Sequence, residues 1–302
     1  MISIRGLRMA YGDNEAVRGI DLEVERGEVF AFLGPNGAGK TTTVEILEGY
    51  RKRTGGEVSV LGEDPERAGR EWRERIGIVL QSSRLDPYLT VRESLALYAG
   101  YFRAPRPIDE VIELVGLGGK AEERARRLSG GQQRRLDVGV ALVGDPELLF
   151  LDEPTTGFDP SARRQFWEVI AGLRDLGKTV FLTTHYMDEA QRLADRVTII
   201  AAGRIAARGT PADLGERERA ATTIRYRAEG REVVLETATP VRTLHELTGE
   251  ALARGEELEG LEVTRPSLED IYLELTAEAA EELPESPAAE PSEAPEPSEA
   301  AK

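Results

Sequence analysis

Apolar residues follow two rhythms along this chain. Five short stretches, at 29–33, 76–80, 148–151, 179–184 and 197–200, are apolar throughout apart from glycine and threonine. Strands buried on both faces read this way, because neither side of the pleat meets water. With helical stretches between them, they predict an α/β core. A chemically distinctive group stands at the carboxyl end of four of the five: Gly34, Gln81, the pair Asp152-Glu153, and His185. Ligands of open α/β sheets bind at that edge.

From 89 to about 128 the spacing is helical instead. Thr90 can cap a helix carrying Val91, Leu95, Leu97 and Tyr98, and Glu93 three residues on completes a capping box. Ile108, Val111, Ile112, Leu114 and Val115 form a second apolar face, and a third helix is expected from Gln132 onward. These segments predict a helical insert at about 89–135 inside a first domain of 1–215. Beyond 211 the pattern changes again. Residues 222–227 and 232–237 alternate as a hairpin around Glu229-Gly230. A helix at about 241–253, a strand at 261–263 and a helix at 267–275 complete a small α+β accessory domain, 216–276.

The stretch 277–302 repeats Pro, Glu, Ser and Ala and offers almost nothing to a core. Ordering it would cost entropy that no burial offsets, so it is expected to be a disordered acidic tail. A docking peptide for another protein is the alternative. Its eight glutamates and one lysine supply close to half of the net charge of −16. That balance, with no strong basic stretch, argues against nucleic acid as a direct partner. The absence of cysteine excludes disulfides and thiolate metal sites and suits the cytosol. The first residues, Met1-Ile2-Ser3-Ile4-Arg5, lack the apolar segment of a secretory signal. No apolar run approaches the roughly 18 residues of a membrane span. The expectation is a soluble protein that meets a membrane only through a partner.

Two glycine-rich helix starts carry most of the chemistry. Gly34-Pro35-Asn36-Gly37-Ala38-Gly39-Lys40-Thr41 is a complete phosphate-cradling P-loop, G-x-x-x-x-G-K-[ST]. Its glycines let the backbone turn its N–H groups toward an anion, and the following helix adds the positive end of its dipole. Lys40 is placed to neutralise the β- and γ-phosphates, and the Thr41 hydroxyl to bind Mg²⁺. Asp152 at the end of an apolar strand suits that ion too, and Glu153 beside it can accept a proton from water. Two acids after a strand can also be a solvated loop or a helix cap; the P-loop tips the reading to catalysis. His185 owes its candidacy to its strand-end position, since a lone histidine is otherwise structural. His245, inside the accessory helix, is assigned nothing. The second glycine motif is Leu128-Ser129-Gly130-Gly131-Gln132.

With these words in hand, residues 1 to about 215 resemble the ATP-binding subunit of an ABC transporter. Leu128-Ser129-Gly130-Gly131-Gln132 is that family's signature, unchanged. Gln81 matches its Q-loop, Asp152-Glu153 its Walker B pair and His185 its switch histidine. Phe158-Asp159-Pro160 matches the D-loop, with phenylalanine in place of the commoner leucine. Tyr11 stands where the family's aromatic stacks on adenine, though an ordinary tyrosine near a strand end is the other reading. His185-Tyr186-Met187-Asp188-Glu189-Ala190, Arg208-Gly209-Thr210-Pro211 and Pro266-Ser267-Leu268-Glu269-Asp270-Ile271-Tyr272 are similar to bacterial exporters of the daunorubicin-resistance type.

The resemblance implies a P-loop NTPase core of ABC ATPase type that binds and hydrolyses ATP with Mg²⁺. ATP would meet Tyr11, Gly34, Pro35, Asn36, Gly37, Ala38, Gly39, Lys40, Thr41 and Thr42. The metal would lie among Thr41, Gln81 and Asp152. Glu153 would polarise the attacking water, with His185 and Gln81 positioning the γ-phosphate. Two subunits, as a homodimer, would meet head to tail, Asp159 at their contact and each signature facing the partner's ATP. Work would pass to a separate transmembrane permease, holding the chain at the cytoplasmic face of the cell membrane, for efflux of a drug, antibiotic or lipid-like substrate. An importer ATPase is the nearer rival. A non-transport ABC ATPase acting on ribosomes or DNA is the remoter one.

Overall fold

The computed structural model describes residues 1–81, 85–215, 222–228, 231–264 and 272–273. In chain order the strands are β1 (Ile2–Tyr11), β2 (Asn14–Val24), β3 (Val29–Leu33), β4 (Gly55–Val60), β5 (Ile76–Val79), β6 (Leu148–Asp152), β7 (Thr179–Thr184), β8 (Arg196–Ala201), β9 (Arg204–Gly209), β10 (Thr222–Ala228), β11 (Arg231–Thr237) and β12 (Glu259–Thr264). The helices are α1 (Lys40–Leu47), α2 (Arg70–Arg73), α3 (Val91–Ala99), α4 (Ile108–Leu114), α5 (Gly130–Leu142), α6 (Pro160–Asp175), α7 (Met187–Leu193), α8 (Pro211–Gly215) and α9 (Pro240–Arg254).

A six-stranded sheet in the order β5-β6-β7-β3-β8-β9 forms the centre. All its pairs are parallel except β8 with β9. Alternate side chains of its strands enter different cores, which is why the strands read as apolar without alternation. Phe30, Phe32, Phe150 and Phe181 point into a core shared with β1, β2, β4 and α1. Three of those rings surround Phe181 at centroid distances of 5.3, 5.7 and 5.7 Å. Val29, Leu149, Leu151, Val180 and Leu182 point the other way, against Leu95, Val111, Leu136, Phe166 and Ile170 of the helical side.

The antiparallel sheet β2-β1-β4 has no counterpart in the sequence reading. The pairing of β1 with β2 slips between Ile4 and Leu7, between Leu7 and Arg8 and between Met9 and Ala10. Each slip interrupts the period-two signal by which a one-sided strand is recognised.

The capping box at α3 forms as expected, Thr90 Oγ1 accepting from Glu93 N and a Glu93 carboxylate oxygen from Thr90 N. Helices α3 and α4 pack on α5, with Leu95, Val111 and Val115 closing around Gly139. The third helix starts two residues earlier than expected, at Gly130. The reason is local: Ser129 is its cap, and Gln132 serves the helix end as the third residue of a capping box.

A second antiparallel sheet, β11-β10-β12, takes Ile224 opposite both Leu235 and Val263. Helix α9 ends at Gly255 in the left-handed conformation, a common helix stop. The expected turn at Glu229-Gly230 and the tail 277–302 lie outside the described residues. Of the expected helix at 267–275, Tyr272 and Leu273 are described, and both are helical.

Candidate nucleotide site

The P-loop joins β3, the strand between β7 and β8, to α1. Space requires glycine at 34, dihedral angle at 37, and both at 39. A β-carbon on Gly34 would stand 2.4 Å from the Ile200 carbonyl oxygen. Gly39 has φ of 103°, and a β-carbon there would stand 2.6 Å from the Ala16 oxygen. Gly39 caps α1 with no side-chain hydrogen bond, so the first amides of the helix are offered to an anion. Lys40 is buried and donates through Nζ to the carbonyls of Gly34 (2.6 Å) and Pro35 (3.1 Å). Burial lowers its pKa, while the carboxylates of Glu153 and Asp152 oppose the shift.

Glu153 is the hub of the site. Its Oε2 accepts from Gln81 Nε2 at 3.3 Å and from Thr156 Oγ1 at 3.3 Å, and lies 3.5 Å from His185 Nδ1. Its Oε1 is 3.9 Å from Lys40 Nζ. The residue has φ of 42°, a left-handed conformation that costs a non-glycine residue on the order of 1 kcal/mol. Its backbone N–H donates to both the carbonyl oxygen (3.1 Å) and the hydroxyl Oγ1 (3.0 Å) of Thr183, which fixes the turn. Asp152 pairs in register with Thr183, whose hydroxyl donates to Asp152 Oδ1 at 2.5 Å. One threonine of β7 thus orients both acids.

Glu153, Gln81, Thr156 and His185 line a cleft of ≈ 830 Å³ with Asn36, Gly37 and residues 39–42 of the P-loop segment, within the usual range for a small-molecule site. Gly34, Pro35, Ala38 and Asp152 are not on its lining. Tyr11 stands on its rim, its hydroxyl 3.4 Å from Thr42 Oγ1 and its ring 5.2 Å from the Arg51 guanidinium. The structure therefore brings Tyr11, Asn36, Gly37, Gly39, Lys40, Thr41, Thr42, Gln81, Glu153 and His185 together.

None of the signature residues lines that cleft. Ser129, Gly131 and Gln132 line a separate shallow pocket of ≈ 230 Å³ with Asp159 and Ser161. Ser129 Oγ accepts from Gln132 N at 3.3 Å, and Gln132 Oε1 accepts from Ser129 N at 3.0 Å. Leu128 is buried in the helical core. Gly131 lies close to α6: a β-carbon there would be 3.0 Å from that of Ala162, whereas none would meet anything at Gly130. Asp159 caps α6, accepting from the amides of Ser161 (2.8 Å) and Ala162 (3.0 Å). Phe158 packs edge-on against Phe166 at 5.9 Å, the contact its size supplies.

Several supporting groups were missed in the sequence: Thr183, Thr156, Arg134 and Arg163. Arg163 lies 4.2 Å over the Tyr186 ring, which itself contacts the His185 ring at 4.2 Å. Only Arg134 left a signal, a charge on the buried stripe of α5 shared by Val138, Ala141 and Leu142.

Glu48, at the end of α1, marks the electrostatic edge of the site. Burial, the Asp152 charge and the Glu45 charge push its carboxyl up to about 8. The folded protein thus holds a proton that the unfolded chain releases near pH 4.5, and stability falls as pH rises from there to about 8. Glu48→Gln removes that penalty. Its melting temperature should exceed that of the parent by a few degrees at about pH 9 and by little at about pH 5. A difference independent of pH in thermal melts would contradict the assignment.

A phosphate loop between a parallel strand and a helix, with an acidic pair at the next strand end but one, defines a P-loop nucleoside triphosphatase. The family model described as ABC transporter matches residues 17–156. The Nod factor export ATP-binding protein I of Cupriavidus metallidurans (strain ATCC 43123 / DSM 2839 / NBRC 102507 / CH34) is 39% identical over 257 residues, covering 83% of this chain and 85% of that protein. The protein of the same name from Rhizobium sp. (strain N33) is 40% identical over 293 residues, covering 91% and 96%. A solved dimeric bacterial ABC transporter cassette superposes with a TM-score of 0.62 at 26% identity, covering 70% of this chain and 98% of the other. The chain belongs to the ATP-binding proteins of ABC transporters, and its activity is ATP hydrolysis.

Proposed function

We propose that the chain works as a head-to-tail homodimer, each ATP held between one subunit's P-loop and the other's signature. The observation that carries this reading is the separation of the two motifs: the P-loop cleft and the signature pocket share no lining residue. One chain thus presents two half-sites facing different spaces. A cassette of the same family has been solved as a dimer.

A mixing experiment tests it. Lys40→Ala disables the P-loop half. Ser129→Asp keeps a good helix cap but sets a negative charge against the phosphate. Each variant alone should hydrolyse ATP poorly. In the mixed dimer one site combines both intact halves, so mixing should restore activity, up to about a quarter of the parent's if subunits pair at random. Mixing without any gain in turnover sinks the head-to-tail reading.

Within the site, Thr41, Gln81 and Asp152 offer a hydroxyl, an amide oxygen and a carboxylate, the hard oxygen donors that suit Mg²⁺. Asp152 keeps one carboxylate oxygen beyond the one Thr183 occupies. When bound, the ion would supply charge neutralisation on the phosphates. Glu153 orients and deprotonates the attacking water, and His185 and Gln81, both held against its carboxylate, position the γ-phosphate. The Lys40 ammonium draws off negative charge, and the amides at the start of α1 hold the phosphates.

The work done is export. The relatives are named export ATP-binding proteins, and the sequence words at 185–190, 208–211 and 266–272 resemble exporters of the daunorubicin-resistance type. The cargo class is a drug, antibiotic or lipid-like compound, selected by a separate permease. No helix among the described residues is long and apolar enough to cross a membrane, so attachment to the cytoplasmic face runs through that permease. Inside-out vesicles carrying both subunits should accumulate cargo with ATP; ATP-driven loss of preloaded cargo would indicate import.

A further inference from the structure

Arg134 sits one turn into the signature helix, buried, with its guanidinium aimed away from the signature pocket. Its five N–H donors serve three backbone carbonyls on other elements. Nε donates to Pro154 O at 3.1 Å and Nη2 to Asp152 O at 2.8 Å, and Nη1 donates to Leu80 O. Asp137, one turn on, lies 3.9 Å from Nη1. Asp152 and Pro154 flank Glu153, and Leu80 immediately precedes Gln81. A single side chain thus joins α5 to both segments that carry the residues around the reacting water.

A fork with fixed geometry on three carbonyls transmits displacement, because its donors cannot follow one acceptor without moving against the others. The other end of the same helix turn is Ser129, Gly130 and Gly131. We propose that Arg134 is a positioning residue that ties the signature helix to the hydrolysis site of its own subunit. When the partner's nucleotide engages the signature, α5 shifts, and the fork draws Leu80 and residues 152–154 with it. Gln81 and Glu153 then reach their working positions. Nucleotide in one site thereby speeds hydrolysis in the other, while a dimer with a single intact site keeps a slower basal turnover. This rests on the head-to-tail reading of the dimer.

The test uses full-length protein carrying Arg134→Lys, which keeps the buried charge but has no fork, and Arg134→Gln, which removes the charge. Thermal melts first identify which variant stays within a few degrees of the parent, and the readings are taken on that variant. ATP affinity of the full-length variant should be unchanged in a fluorescent-nucleotide titration. The kcat should fall on the order of tenfold or more, as small misplacements of catalytic groups cost. The Hill coefficient of hydrolysis against ATP should drop toward one. A folded variant with parental kcat and cooperativity overturns the proposal. So does one whose ATP affinity falls in step with kcat, since Arg134 would then serve nucleotide binding or general stability. The mixing experiment separates the two readings: recovered turnover there, with parental behaviour at Arg134, rejects the coupling and keeps the dimer.

Discussion

Lys40→Ala should lose ATP binding, with affinity falling on the order of a hundredfold or more in a nucleotide titration. The magnitude follows from where the ammonium sits. Lys40 is buried at the floor of the loop, tethered to the Gly34 and Pro35 carbonyls, so its charge lies within the cradle and away from bulk water. A charge-assisted hydrogen bond to phosphate is strong there because solvent screening is weak. The variant should still fold, since removing the side chain opens a path from the cleft by which water can reach the Gly34 and Pro35 carbonyls. A parental affinity in the folded variant would refute the phosphate-cradle assignment.

Glu153→Gln should bind ATP as the parent does and turn it over about a hundredfold more slowly or worse, the range expected for a general base. The amide is nearly isosteric, so contacts with Gln81, Thr156 and His185 change in polarity and not in shape. Affinity is therefore preserved while the proton acceptor is gone. If hydrolysis is what releases the dimer, the variant should also accumulate as an ATP-bound dimer on size-exclusion chromatography. Near-parental turnover would remove Glu153 from the role of base and shift attention to His185.

The sequence made the buried sheet legible because a strand covered on both faces needs no partner to announce itself. It also showed the P-loop and the helix cap at Thr90, both of which are local. What stayed hidden depends on pairing. The β2-β1-β4 sheet is broken by slips in register, and β9 is a half-exposed strand joined to β8 through Ala202 and Gly203, both with positive φ. Thr183 was seen only as part of an apolar run, although its hydroxyl serves Asp152 and its backbone serves Glu153. Such roles arise from register between β6 and β7, which no linear motif encodes. Arg134 differs in kind. Its charge on a buried stripe was visible, but the three carbonyls it would find were not.

The placement of β3 gives the site an uneven mechanical character. Its five residues are buried between β7 and β8, and the P-loop grows directly from its end. Ser129 to Gly131, by contrast, form the start of a helix at the protein surface. The P-loop is thus anchored in fully buried sheet, whereas the signature hangs on a helix start held by its own capping box and by α6. In the dimer proposed above, departure of nucleotide would free the signature from its partner while the P-loop, rooted in the sheet, kept its shape.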